Sequence, residues 1–113
     1  MVQVYVEQLT DLMRQVASRK HRDVRLEIKH FFSGAAVYAD GAICITLTPV
    51  GFALKLRSEQ RTMLLEQHGA TPLRYFPKAP LKKDYAVLPA TIMDDRKALR
   101  DWVAKSIDYV ALT

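Results

Sequence analysis

Between Leu26 and Arg57 apolar side chains recur at every second position, and short turn-forming groups interrupt them. Leu26, Ile28, His30 and Phe32 make the first run, Ile43, Ile45 and Leu47 a second, and Phe52, Leu54 and Leu56 a third. Ser33-Gly34, Asp40-Gly41 and Pro49-Val50-Gly51 mark the turns. A helix cannot use this pattern, because its side chains return to one face every three or four residues. Alternation broken by Gly-containing turns predicts an antiparallel meander of four short strands with one buried face. Asp40-Gly41 suits a tight turn that needs positive φ.

One apolar sheet face needs a cover, and the flanking segments supply it. Val2, Val6, Leu9, Met13 and Val16 repeat at helical spacing, with Tyr5 and Leu12 widening the stripe. That predicts an N-terminal amphipathic helix. Its basic end, Arg19, Lys20 and His21, suits the negative pole of the helix dipole. Ser58 is the expected N-cap of a short middle helix carrying Met63, Leu64 and Leu65, and His68-Gly69 its stop. Leu73 to Phe76 and Tyr85 to Leu88 read as two further strands, with a loop between them. Pro77, Pro80 and Pro89 lack a ladder donor, so these strands end there or lie at a sheet edge, where a second copy can pair. Asp94 and Asp95 cap a last helix whose buried face is Leu99, Trp102, Val103, Ile107 and Val110. The expected fold is α+β: a single antiparallel sheet (four-strand meander plus a second strand pair) packed with N-terminal, middle and C-terminal helices. Residues 1–113 form one domain in this reading.

Of the 113 residues, half are hydrophobic and 26% charged, enough for one core without staples. Cys44 is the only cysteine, so no intramolecular disulfide can form, as suits a reducing compartment. Glu7 and Asp11 interrupt the apolar positions of the first helix, and no basic segment precedes them, unlike a secretory leader. No apolar run approaches the roughly 20 residues that span a bilayer. These features point to the cytoplasm and away from membranes.

Candidate chemistry is sparse. His21, His30 and His68 are too dispersed for a standard metal-ligand spacing, and His30 reads as a half-buried strand residue. Cys44 sits mid-strand with Thr46 and Thr48, facing away from Ile43, Ile45 and Leu47, as a small filler rather than a nucleophile. No phosphate-binding loop, dinucleotide fingerprint or nucleophile elbow occurs. Catalytic, cofactor and metal residues are therefore assigned to none. The formal charge of +5 invites an acidic partner. Arg19, Lys20, Arg22 and Arg25 form one basic cluster, opposed by Asp23, and Lys78, Lys82 and Lys83 form a second. These seven are the candidate contacts to nucleic acid or to a protein partner. Tyr75, Phe76 and Tyr85 place aromatics beside the second cluster, a mixture that stacks bases while pairing phosphates. Otherwise the rings turn inward and the lysines stay in water.

The segment Phe32-Ser33-Gly34-Ala35-Ala36-Val37-Tyr38-Ala39-Asp40-Gly41 resembles the F-G-G-x-G-x-Y-x-D-G hairpin of the TfoX/Sxy family. Phe52-Ala53-Leu54-Lys55-Leu56 is similar to its next strand, and Leu99-Arg100-Asp101-Trp102 to the L-x-x-W of its last helix. Arg74-Tyr75-Phe76-Pro77-Lys78-Ala79-Pro80 and Lys82-Lys83-Asp84-Tyr85-Ala86-Val87-Leu88-Pro89 are similar to its later strand pair. The chain departs from the pattern at Phe31, Ser33 and Ala36, where the family often has Met, Gly and Gly. The resemblance runs from about Val24 to Tyr109 and is to the N-terminal domain standing alone, since full-length members carry a second, helical domain. It implies a bacterial regulator of natural competence acting with a cyclic-AMP receptor protein, and no set of active-site residues. The expectation is a non-enzymatic interaction module in transcription regulation, working through a protein partner. The alternatives are direct nucleic-acid binding by segments 19–25 and 78–83, or a small-ligand-binding protein or enzyme.

Overall fold

The computed structural model describes residues 2–16 and 21–111. In chain order these form α1 (Val2–Val16), β1 (Leu26–Phe31), β2 (Gly34–Ala39), β3 (Ala42–Thr48), β4 (Gly51–Lys55), α2 (Ser58–Gln67), β5 (Thr71–Leu73), β6 (Lys82–Val87), α3 (Ala90–Met93) and α4 (Arg96–Ala111). The six strands make one sheet in the order β1-β2-β3-β4-β6-β5, antiparallel at every junction. The meander and the second strand pair are as the alternation predicts.

The second pair differs in detail. Its first strand is Thr71–Leu73, so Tyr75 and Phe76 leave the ladder instead of lying in it. Its second begins at Lys82 and inserts between β4 and β5, which makes it an interior strand. Pro72 explains the asymmetry: lacking a ladder donor, it is tolerated in the short outermost strand.

All four helices contribute to a cluster on one sheet face. Leu9, Met13 and Val16 of α1, Leu64 of α2, Ile92 of α3 and Leu99, Trp102, Val103 and Ile107 of α4 meet Val37, Ile45, Phe52, Leu54 and Ala86. Trp102 is the largest helical side chain among them. His30 stands opposite Ala35 on this face yet stays outside the cluster, and so does Phe32. His30 is exposed and Phe32 is 78% exposed, because β1 is an edge strand and Phe32 has already entered the turn.

A bulge re-aims Cys44. Pairing runs Val37 to Ile45 and then Tyr38 to Ile43, so Cys44 has no partner residue on β2. The extra residue reverses the local alternation. Cys44 therefore joins Ile45 in the helix-side core instead of facing away with Thr46 and Thr48. Its freed carbonyl accepts a hydrogen bond from the buried Ser106 hydroxyl of α4 at 3.0 Å, which accounts for a polar residue on that helix's core face.

The turns and caps follow local chemistry with some shifts of position. Asp40 and Gly41 take φ of +50° and +87°, as their dipeptide demands. The first turn is Phe32-Ser33, with Gly34 opening β2. Ser58 is the first residue of α2 and Arg57 its N-cap, without a side-chain bond. Gly69 takes φ of +77° and lets the Ala70 N–H reach the Leu64 carbonyl, closing α2 where His68-Gly69 predicted. Asp95 caps α4 by accepting from the Ala98 N–H at 3.1 Å, while Asp94 ends α3, a short helix that periodicity did not reveal. His21 is no exposed dipole partner: it is buried, with Nε2 2.6 Å from Asp108 Oδ1. Among the described residues no helix is long and apolar enough to cross a membrane.

Candidate functional site

The sheet face opposite the helices carries a smaller cluster, Ala53, Leu73 and Tyr85 with Tyr75 and Val87 against it. Its cover is the chain between β5 and β6. The Arg74 guanidinium donates to the Ala79 carbonyl, and the Ala79 N–H donates to Phe76 at 2.9 Å, so the loop is tied back on itself. This folding carries Tyr75 across the sheet to the first turn. Phe31, Phe32 and Tyr75 form a ring cluster with centroids 4.6 Å (Phe31–Phe32), 5.7 Å (Phe31–Tyr75) and 5.8 Å (Phe32–Tyr75) apart. Their planes cross at 63°, 60° and 57°.

Beside this cluster lies a cavity of about 300 Å³ lined by Phe32, Ser33, Tyr75, Phe76, Ala79, Pro80 and Lys82. Its two outer rings are open to solvent, Phe32 at 78% and Phe76 at 60% exposed. Phe32 also has φ of +49°, a left-handed conformation that bulky residues rarely take. Such a conformation costs about 1–3 kcal/mol and persists where the surroundings impose it. An exposed phenylalanine held in a strained turn gains nothing for the core. That combination marks the cleft as the candidate site.

The charge around the cleft is cationic. Lys82 Nζ lies 5.8 Å from the Tyr75 ring centroid, and Lys78 and Lys83 are exposed. On the same sheet face Lys29 Nζ lies 5.4 Å from the Tyr38 ring. The contacts between carboxylates and basic side chains of described residues are Arg14–Asp11, His21–Asp108 and Arg25–Glu27, and none of them places a described carboxylate, Asp84 included, against Lys78, Lys82 or Lys83. Burial raises the hydroxyl pKa of Tyr75 and of Tyr85. Both phenols stay neutral at ordinary pH and leave the lysines to set the local potential. An apolar slot beside positive charge is complementary to an apolar group that has negative charge next to it.

The seven basic residues read from the sequence do not gather in one place. Lys82 lines the cleft, Lys78 is exposed in the loop one residue before Ala79 of its wall, and Lys83 is exposed at the start of β6. Arg22 and Arg25 are exposed at the far end of β1, about 20 Å away along a six-residue strand. Arg25 Nη2 donates to Glu27 at 2.9 Å, and this hydrogen bond holds the Glu27 carboxyl below its usual pKa. Arg19 and Lys20 lie outside the described residues. Cys44 is a buried thiol whose pKa desolvation pushes up to about 12, which leaves no thiolate for nucleophilic work at neutral pH.

Sequence reasoning identified Tyr75, Phe76 and Lys82 but missed Phe31 and Phe32. Two adjacent aromatics at a strand end were the available signal, because alternation buries at most one of them on a given face.

The comparison with known families agrees with this architecture: the TfoX N-terminal domain matches residues 22–110. No curated protein matches the chain. The match spans most of the 113 residues, including every strand, α2, α3 and all but the last residue of α4, and the chain belongs to the TfoX N-terminal domain family.

Proposed function

We propose that this chain is a non-enzymatic interaction module that takes part in transcription regulation by docking a protein partner on its aromatic cleft. The observation that carries the reading is the pairing of Phe32 and Phe76, 78% and 60% exposed, around a formed cavity on a family scaffold. Large exposed rings clustered at a concavity are typical of surfaces that become covered by a partner. The Lys78 and Lys82 charges favour a partner with an acidic face. A cyclic-AMP receptor protein is the partner that the competence resemblance brings forward, and the cytoplasm is the compartment in which the two would meet.

The test compares affinity capture by the wild-type chain with capture by a Phe32→Ser, Phe76→Ser double variant. A transcription protein should be enriched by the wild type, survive nuclease treatment and be lost with the variant. Capture that disappears with nuclease, or that is equal for both chains, would overturn the reading. Direct nucleic-acid binding is the second reading, favoured by the unpaired lysines of segment 78–83. Among the described residues that segment is separated from Arg22 and Arg25 by the length of β1, so the two clusters do not form one compact contact for a duplex backbone.

A further inference from the structure

We infer that the cleft takes an acidic peptide segment of its partner, seating one large apolar side chain between Phe32, Tyr75, Phe76 and Pro80 while neighbouring carboxylates meet Lys78 and Lys82. This deepens the docking reading above and rests on it. Size is the first argument. About 300 Å³ is the low end of ligand pockets, room for one or two side chains rather than for a domain surface.

Shape is the second. A nucleobase stacks best on, or between, parallel open ring faces. Here the lining rings of Phe32 and Tyr75 cross at 57°, and Lys82 already lies over Tyr75. Crossed rings present both edges and faces to an inserted aromatic or branched aliphatic group, the arrangement that aromatic pairs prefer.

Charge is the third. Lys82 at the mouth and the exposed Lys78 of the adjoining loop lack carboxylate partners among the described residues, so an occupant bearing acids gains ion pairs without breaking existing ones. The wall is also preformed. Arg74 fixes the loop through the Ala79 carbonyl, and the turn already holds the Phe32 ring against Phe31 and Tyr75. Little ordering is then left for binding to impose.

Fluorescence anisotropy with synthetic probes tests this. The probes are a short glutamate-rich peptide with a central tryptophan, the same peptide with alanine at its centre, a glutamine-rich peptide with tryptophan, and oligothymidylate. The acidic tryptophan peptide should bind about tenfold more tightly than either peptide control. Phe32→Ser, Phe76→Ser and Lys82→Glu should each weaken it by about tenfold, with unchanged circular dichroism. Added salt should weaken it through the lysine contacts. Equal affinity for the alanine-centred peptide, tighter binding of oligothymidylate, or no binding at all would overturn the inference. Failure here combined with partner capture that still depends on Phe32 and Phe76 would remove the acidic-peptide occupant and leave the docking reading standing. Loss of that capture would remove the docking reading itself.

Discussion

Gly34 and Phe32 occupy one hairpin and show opposite constraints. A Cβ placed on Gly34 would lie 2.1 Å from the Leu47 carbonyl oxygen and 2.8 Å from Thr48 Cα. Both are backbone atoms, so no side-chain rotation relieves the overlap and β2 and β3 must separate. Gly34→Ala should therefore cost at least about 3 kcal/mol, read as a drop in the urea midpoint. A wild-type midpoint would show that the two strands can part cheaply. Phe32 is strained instead of crowded. Phe32→Asn places a residue tolerant of positive φ in a turn where the lost ring was mostly in water. Its melting temperature should equal or exceed that of the wild type while peptide binding falls. A clear loss of stability would mean that the ring contributes to the fold and not to a partner.

Among the described residues, α4 gives the helix-side core more buried side chains than any other helix: Leu99, Trp102, Val103 and Ile107. Trp102 packs in the main core, with the His68 ring 5.8 Å away and Lys105 Nζ 5.3 Å from its centroid. Trp102→Ala should lower stability by about 3–5 kcal/mol, measured by thermal or chemical denaturation. A change under about 1 kcal/mol would show that the helix is held by its other residues. The elements themselves were largely legible in the sequence. Period-two runs gave β1, β3 and β4, the turns on either side gave β2, and the three- and four-residue stripes gave α1 and α4, because a one-sided amphipathic surface leaves its period in the chain. Three features were not legible for definite reasons. The bulge at Cys44 is a pairing event between strands, invisible in either strand alone. β6 inserts between β4 and β5, so its neighbours are set by a crossover and not by local pattern. Tyr75 and Phe76 are as apolar as strand residues, yet they belong to a loop closed by Arg74. The cleft was half legible for the same reason: its second half comes from β1 and its turn, remote in sequence and joined only by folding.

At the scale of the whole molecule, burial couples stability to alkaline pH. The Cys44 thiol moves from its ordinary value of 9.0 to about 12, and burial raises Tyr75 and Tyr85 above the usual phenol range. Raised folded-state values mean that the unfolded chain releases these protons first. Stability is thus fully present below about pH 9 and falls as pH rises toward 12. The Cys44 share amounts to as much as roughly 4 kcal/mol across that window. Urea midpoints should decline over this range in the wild type and more gently in Cys44→Ala. Parallel slopes would mean that the thiol ionises without unfolding the core.

The contact between the first and last helices bears on how the chain matures. Arg100 Nη2 reaches the Gln15 carbonyl at 3.3 Å, and His21 meets Asp108. Translation releases α1 before all six strands, α2 and α3, and α4 only after them, so a nascent chain carries its α1 apolar stripe without the α4 part of its cover while those elements are made. Ribosome-bound intermediates should consequently recruit holdase chaperones until α4 clears the exit tunnel, and a circular permutant that places α1 directly after α4 would shorten that vulnerable interval.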